Sequence, residues 1–67
     1  AKSLNTIEKR LPPEIYFRAN RNAIFNLNYI QNIENWFSGN LLVSLPNKAQ
    51  TEISRRQAVI FKEVYGI

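Results

Sequence analysis

The sequence predicts a mostly β domain with two short helices, on three observations. Short runs of β-formers are punctuated by turn residues, most clearly Leu41 to Leu45 between Ser38-Gly39-Asn40 and Pro46-Asn47-Lys48. Ile15 to Asn20 alternates, setting Phe17 and Ala19 to one side and Arg18 and Asn20 to the other. The stretches Ser3 to Leu11 and Ser54 to Tyr65 instead space apolar residues at three and four, the period of a helix face.

In the first helix, Ser3 is the expected N-cap, and Leu4, Ile7 and Leu11 form a stripe expected to pack on the core. Lys9 and Arg10 fall in its last turn, where cations complement the dipole, and Pro12-Pro13 ends it by pushing Leu11 out of helical geometry. After the strand from Ile15 to Asn20, Arg21-Asn22 reads as a turn into Ala23-Ile24-Phe25, three apolar anchors. Asn26 is expected to bond local backbone and to open one helical or 3₁₀ turn through Tyr29. A three-stranded antiparallel meander follows at 30–37, 41–45 and 50–53, with Gly39 in its first hairpin turn and Leu41, Val43 and Leu45 sharing a face. Ser54 and Gln57 match a capping box for the last helix. Ala58, Phe61, Val64 and Tyr65 supply its apolar face, and Gly66 stands at C′.

Composition then restricts the chemistry. A chain of 67 residues forms one domain or part of one, and no apolar run approaches the roughly 20 residues that span a bilayer. Nine Lys and Arg against five Glu give a net charge of +4, which favours an anionic partner. The absence of His, Cys and Asp removes the commonest general base and the soft metal ligands, and the glutamates at 8, 14, 34, 52 and 63 form no close pair. The expectation is a non-catalytic protein with no cofactor and no metal. No signal-like apolar start is present, so the expected location is cytoplasmic.

Two basic sites stand out. Between Glu14 and Glu34 there is no carboxylate, while Arg18, Asn20, Arg21 and Asn22 offer guanidinium forks and amides, groups that match phosphate oxygens and base edges. Arg55 and Arg56 occupy the first turn of the last helix, where a cation opposes the dipole by about 0.3–1 kcal/mol. Acids would be more stable there, so the pair points to an anion, which the free N–H groups of the same turn also attract.

These residues carry a resemblance. Phe-Arg-Ala-Asn-Arg-Asn-Ala-Ile-Phe-Asn-Leu-Asn-Tyr-Ile at 17–30, then one hairpin, then Glu-Ile-Ser-Arg-Arg at 52–56, is similar to the LytTR family of bacterial DNA-binding domains. That family shows Phe-x-Arg-x-His-Arg-Ser, then Val-Asn and Ile, a strand pair, and Val-Ser-Arg-Arg opening the last helix. The resemblance implies an elongated domain of antiparallel β-sheets and hairpins that presents loop residues, rather than a recognition helix, to the major groove. By position Arg21 and Arg56 match its base-contacting residues, Arg18, Asn20 and Asn22 its backbone-contacting segment, and Arg55 a phosphate neighbour. Asn20 stands where the family usually has His, and Asn22 where it has Ser. The match covers the C-terminal two-thirds of such a domain, so residues 1–67 are expected to lack an N-terminal sheet that carries another base contact.

The resulting expectation is sequence-specific duplex-DNA binding by a bacterial transcriptional regulator. The resemblance further implies an upstream receiver or sensor module, as in the response regulators of two-component systems, and no small-molecule substrate. The alternative is a protein–protein interaction module in which Phe17, Trp36 and the hairpins dock a partner and the basic residues form its rim.

Overall fold

In the computed structural model, which describes residues 3–66, Ser3 caps helix α1 (Leu4–Arg10) by accepting the Thr6 N–H on its hydroxyl at 3.3 Å. Leu11 turns extended at φ −94°, as the following prolines require. The chain then forms a hairpin from β1 (Tyr16–Asn20) and β2 (Ala23–Asn26), paired antiparallel with Phe17 opposite Phe25 and Arg18 opposite Ile24. The Ala23-Ile24-Phe25 anchor is thus a strand in its own right. The register shifts between Arg18 and Asn20, a bulge that increases the local twist just before the turn. Asn26 behaves as its type predicts: its side-chain oxygen accepts the Asn28 N–H at 2.8 Å and opens the 3₁₀ turn Leu27–Tyr29.

The meander forms as β3 (Asn32–Asn35), β4 (Leu41–Ser44) and β5 (Gln50–Ile53), with β4 central. Pairing places Ile33, Leu41, Val43 and Ile53 on one face. The first strand is shorter than the expected 30–37, because Trp36 N–H already bonds across the turn to the Asn40 carbonyl at 2.9 Å. Its two turns share one geometry, with left-handed backbone at the second and third residues: Ser38 and Gly39 in one, Asn47 and Lys48 in the other. Glycine suits that region, and Lys48 holds it at φ 62° without that freedom.

Helix α2 (Arg55–Tyr65) closes the domain and ends on Gly66, left-handed at φ 70°, whose N–H returns to the Lys62 carbonyl at 2.8 Å. The core lies between α2, the hairpin and the inner face of the meander: Ala19, Phe25, Leu41, Val43, Ile53, Ala58 and Phe61 are buried together. Phe61 meets Phe17 edge-on at 5.1 Å between ring centroids. Burying side chains of this size contributes about 1.5–3 kcal/mol each, the main driving force for a small domain. Two apolar stripes fall short of their sequence pattern. Val64 and Tyr65 of α2 stay exposed, and no residue of α1 is buried, with Ile7 facing solvent. Helix α1 lies beside the outer face of the hairpin, and an open cleft of about 560 Å³ between them is lined by Leu11, Pro13, Tyr16 and Ile24. The described chain extends 32 × 26 × 20 Å.

Gly39 illustrates how tightly one turn is specified. Its φ is 82°, and a Cβ there would stand 2.9 Å from both Cγ and Cδ of Arg55, so the Arg55 stem lies across the turn. Gly39→Ala is expected to lower stability by about 1–2 kcal/mol through the left-handed backbone alone, measured as a urea midpoint shift.

Candidate nucleic-acid interface

Hairpin and meander form separate sheets, and a short seam of hydrogen bonds joins them. The Ser54 N–H donates to the Ala19 carbonyl at 2.9 Å, the Asn20 side-chain amide to the Glu52 carbonyl at 2.6 Å, and the Gln57 amide to the Arg18 carbonyl at 2.9 Å. All three link β1 to the junction of β5 and α2. They therefore fix the β1–β2 turn, which bears Arg21, against the opening of α2, which bears Arg56.

The expected capping box does not form. Ser54 occupies the N-cap position with extended backbone, but its hydroxyl makes no cap bond, and Gln57 reaches β1 instead of Ser54. A tertiary acceptor has outcompeted the local one. The arginine pair does sit in the first helical turn with no acid beside it, as the sequence predicts.

Arg18 departs from its expected role as a free, outward phosphate contact. Its side chain is only 12% exposed. Nη1 donates to the Asn5 side chain at 2.7 Å and the Glu8 carboxylate at 2.9 Å, Nη2 to the Arg21 carbonyl at 2.8 Å, and Nε to the Asn20 carbonyl at 2.5 Å. The stretch that is free of acids in sequence thus acquires one in space, from α1. Asn20 is likewise engaged: besides its bond to Glu52, its side-chain oxygen accepts the Asn22 N–H at 2.7 Å and shapes the turn. Four of the five Arg18 N–H groups and one of the two Asn20 amide protons are thus committed within the chain.

Arg21, Asn22, Arg55 and Arg56 are exposed, and among the described residues the three guanidinium groups hold no hydrogen bond or ion pair. Arg21 and Arg56 line one shallow surface groove of about 540 Å³, together with Glu8, Asn20, Ser54 and Gln57. Asn22 and Arg55 are not part of that groove; Arg55 is directed instead by the Gly39 turn beneath its stem. Nothing local in the sequence marks Asn5, Glu8 and Glu52 as site residues, and the local pattern assigns Gln57 to a cap instead. Their contacts span 10 to 39 residues, and only the fold brings them together.

Fold and site together define a small basic domain of antiparallel hairpins, in which Arg21 comes from a turn and Arg55 and Arg56 from a helix start rather than from the length of a recognition helix. The chain belongs to the LytTr DNA-binding domain family, whose model matches residues 1–66. It is 37% identical over 65 residues to the sensory transduction protein LytT of Enterococcus faecalis, covering 97% of this chain and 27% of that protein. It is 33% identical over 64 residues to the transcriptional regulatory protein LytR of Staphylococcus aureus, covering 96% and 26%. The chain thus spans about a quarter of the length of these relatives. A solved LytTr DNA-binding domain from Bacillus cereus superposes with a TM-score of 0.88 at 29% identity, covering 98% of this chain and 61% of that one.

The seam assigns different weights to Ser54 and Gln57. Ser54→Ala is expected to stay within about 0.5 kcal/mol of the parent, because the seam uses its backbone N–H. Gln57→Ala leaves the Arg18 carbonyl without this partner and is expected to cost about 1–3 kcal/mol. Urea unfolding of the two variants separates them.

Proposed function

We propose that this chain binds duplex DNA sequence-specifically, as the output module of a bacterial transcriptional regulator. One observation carries the reading: Arg21 and Arg56, 35 positions apart, share one groove with both guanidinium groups unpaired. Leaving two cations uncompensated on one surface favours an anionic ligand, and the fork of each guanidinium matches the acceptor pair on a guanine edge. In this reading Arg21 and Arg56 read bases, while Arg55 and Asn22 contact the backbone. Arg18 and Asn20 belong to the supporting frame, since most of their donors are engaged within the chain. Family membership supports the same assignment.

The protein–protein alternative keeps one of its two named aromatic anchors: Phe17 is partly buried against Phe25 and Phe61, whereas Trp36 stays exposed with its indole N–H tied to the Glu52 carboxylate at 3.1 Å. We further propose a cytoplasmic protein that acts without catalysis or cofactor, with a receiver or sensor module preceding this domain, as the greater length of the relatives allows.

The test is binding of the purified protein to a duplex selected from random sequence. If Arg21, Arg55 and Arg56 each neutralise one phosphate charge, log K against log salt has a slope of about −2.7. A flat salt profile refutes the DNA reading. Arg21→Ala and Arg56→Ala are each expected to cost about 1–3 kcal/mol on the selected site and to relax preference at one or two base pairs. Arg55→Ala weakens all duplexes alike. A panel of single-base variants of the site, at fixed salt, distinguishes these patterns.

A further inference from the structure

We infer that Arg18 is a positioning residue held by helix α1, and that Asn5 and Glu8 thereby help set the base preference exerted through Arg21. The inference rests on the DNA-binding reading above and deepens it.

Arg18 uses its guanidinium as a four-bond bracket. On one side it takes the Asn5 and Glu8 side chains of α1, and on the other the carbonyls of Asn20, the last residue of β1, and Arg21, the first of the β1–β2 turn. Four of the five N–H groups of an arginine are thus committed, and the planar fork fixes their directions. The bracketed carbonyls bear directly on Arg21: one is its own and the other belongs to the residue before it. The backbone that aims the Arg21 side chain is therefore tied to α1 through a single group.

Helix α1 needs that tie as much as the turn does. It buries no residue, and Ile7 stays exposed, so apolar packing does little to hold it. The Arg18 side chain is 12% exposed, whereas Glu8 is 46% exposed, so the cation sits in the less solvated half of the pair. A guanidinium in that setting requires acceptors for its N–H groups, and removing the partner side chain leaves a largely desolvated donor unsatisfied. The Gln57 bond to the Arg18 carbonyl anchors the same residue to α2 through its main chain, so the α2 side of the groove does not depend on α1. Loosening α1 should therefore affect what Arg21 reads and spare what Arg56 reads.

That asymmetry supplies the test. Asn5→Ala and Glu8→Ala are expected to reduce discrimination roughly tenfold at the base pairs whose preference Arg21→Ala abolishes, and to leave those assigned by Arg56→Ala unchanged. Glu8→Gln keeps an acceptor oxygen and should retain most of the discrimination. Arg18→Lys keeps the charge but cannot span four acceptors, so it should show the same selective loss; a phosphate-contacting Arg18 would instead leave base preference intact in the lysine variant. Equal losses at both sets of base pairs, or none at either, overturn the inference. A second readout needs no DNA: the Nε–H proton of Arg18 should exchange slowly with solvent by NMR, and faster in Asn5→Ala and Glu8→Ala. Rapid exchange in the parent protein overturns the bracket. If the parent protein binds no duplex while this proton is slow and responds to both variants, the DNA reading fails and the bracket stands.

Discussion

The three hydrogen bonds that cross from residues 18–20 to residues 52–57 hold two sheets in one relation, and the groove exists because of them. No β-ladder joins hairpin to meander, so the relation depends on these bonds and on the aromatic contact of Phe17 with Phe61 behind them. Each bond is worth only about 0.5–1.5 kcal/mol net, yet together they restrict sliding, which the apolar contact alone tolerates. Apolar burial thus supplies the adhesion and the polar seam supplies the register. Separating Arg21 from Arg56 would leave two isolated surface cations where there is now one shared groove.

Charge beside that groove is placed at some expense to stability. The first turn of α2 carries two cations and no acid, against the dipole. Asn47 and Lys48 adopt left-handed backbone in a turn whose counterpart uses Ser38 and Gly39. The one compensated arginine, Arg18, is the one drawn into the frame. Arg18, the arginine with partners, shapes the turn, whereas Arg21, Arg55 and Arg56 remain exposed and unpaired.

Much of this was legible in the sequence wherever a residue type answers to its immediate neighbours. Ser3 capping α1, Leu11 yielding to the prolines, Asn26 turning onto Asn28, Gly39 and Gly66 in left-handed backbone, and the β4–β5 pairing all follow from local preference. Strand β2 was hidden because Ala23-Ile24-Phe25 is a continuous apolar run without alternation, and Leu42 because it is buried on the outer face of the meander, between Glu34 and Glu52 in register. The site was half legible. Arg21, Asn22, Arg55 and Arg56 are exposed, Arg18 and Asn20, read as backbone contacts, are engaged by partners distant in sequence, and the local capping box of Ser54 and Gln57 gave way to long-range bonds. A sequence window shows what a side chain can bond to nearby; it does not show the better acceptor that folding brings to it.

Each bond of the seam ends on a main-chain carbonyl, those of Arg18, Ala19 and Glu52, and the Arg18 fork ends on two more. A carbonyl is present whatever residue supplies it. Position 21 can therefore change its side chain without removing the acceptor that holds it, and positions 22, 55 and 56 take no part in the seam through their side chains. Descendants of such a domain could alter the outward groups one at a time, acquiring new target sequences by drift while the architecture underneath stays constant, which makes the recognition surface evolvable separately from the fold that displays it.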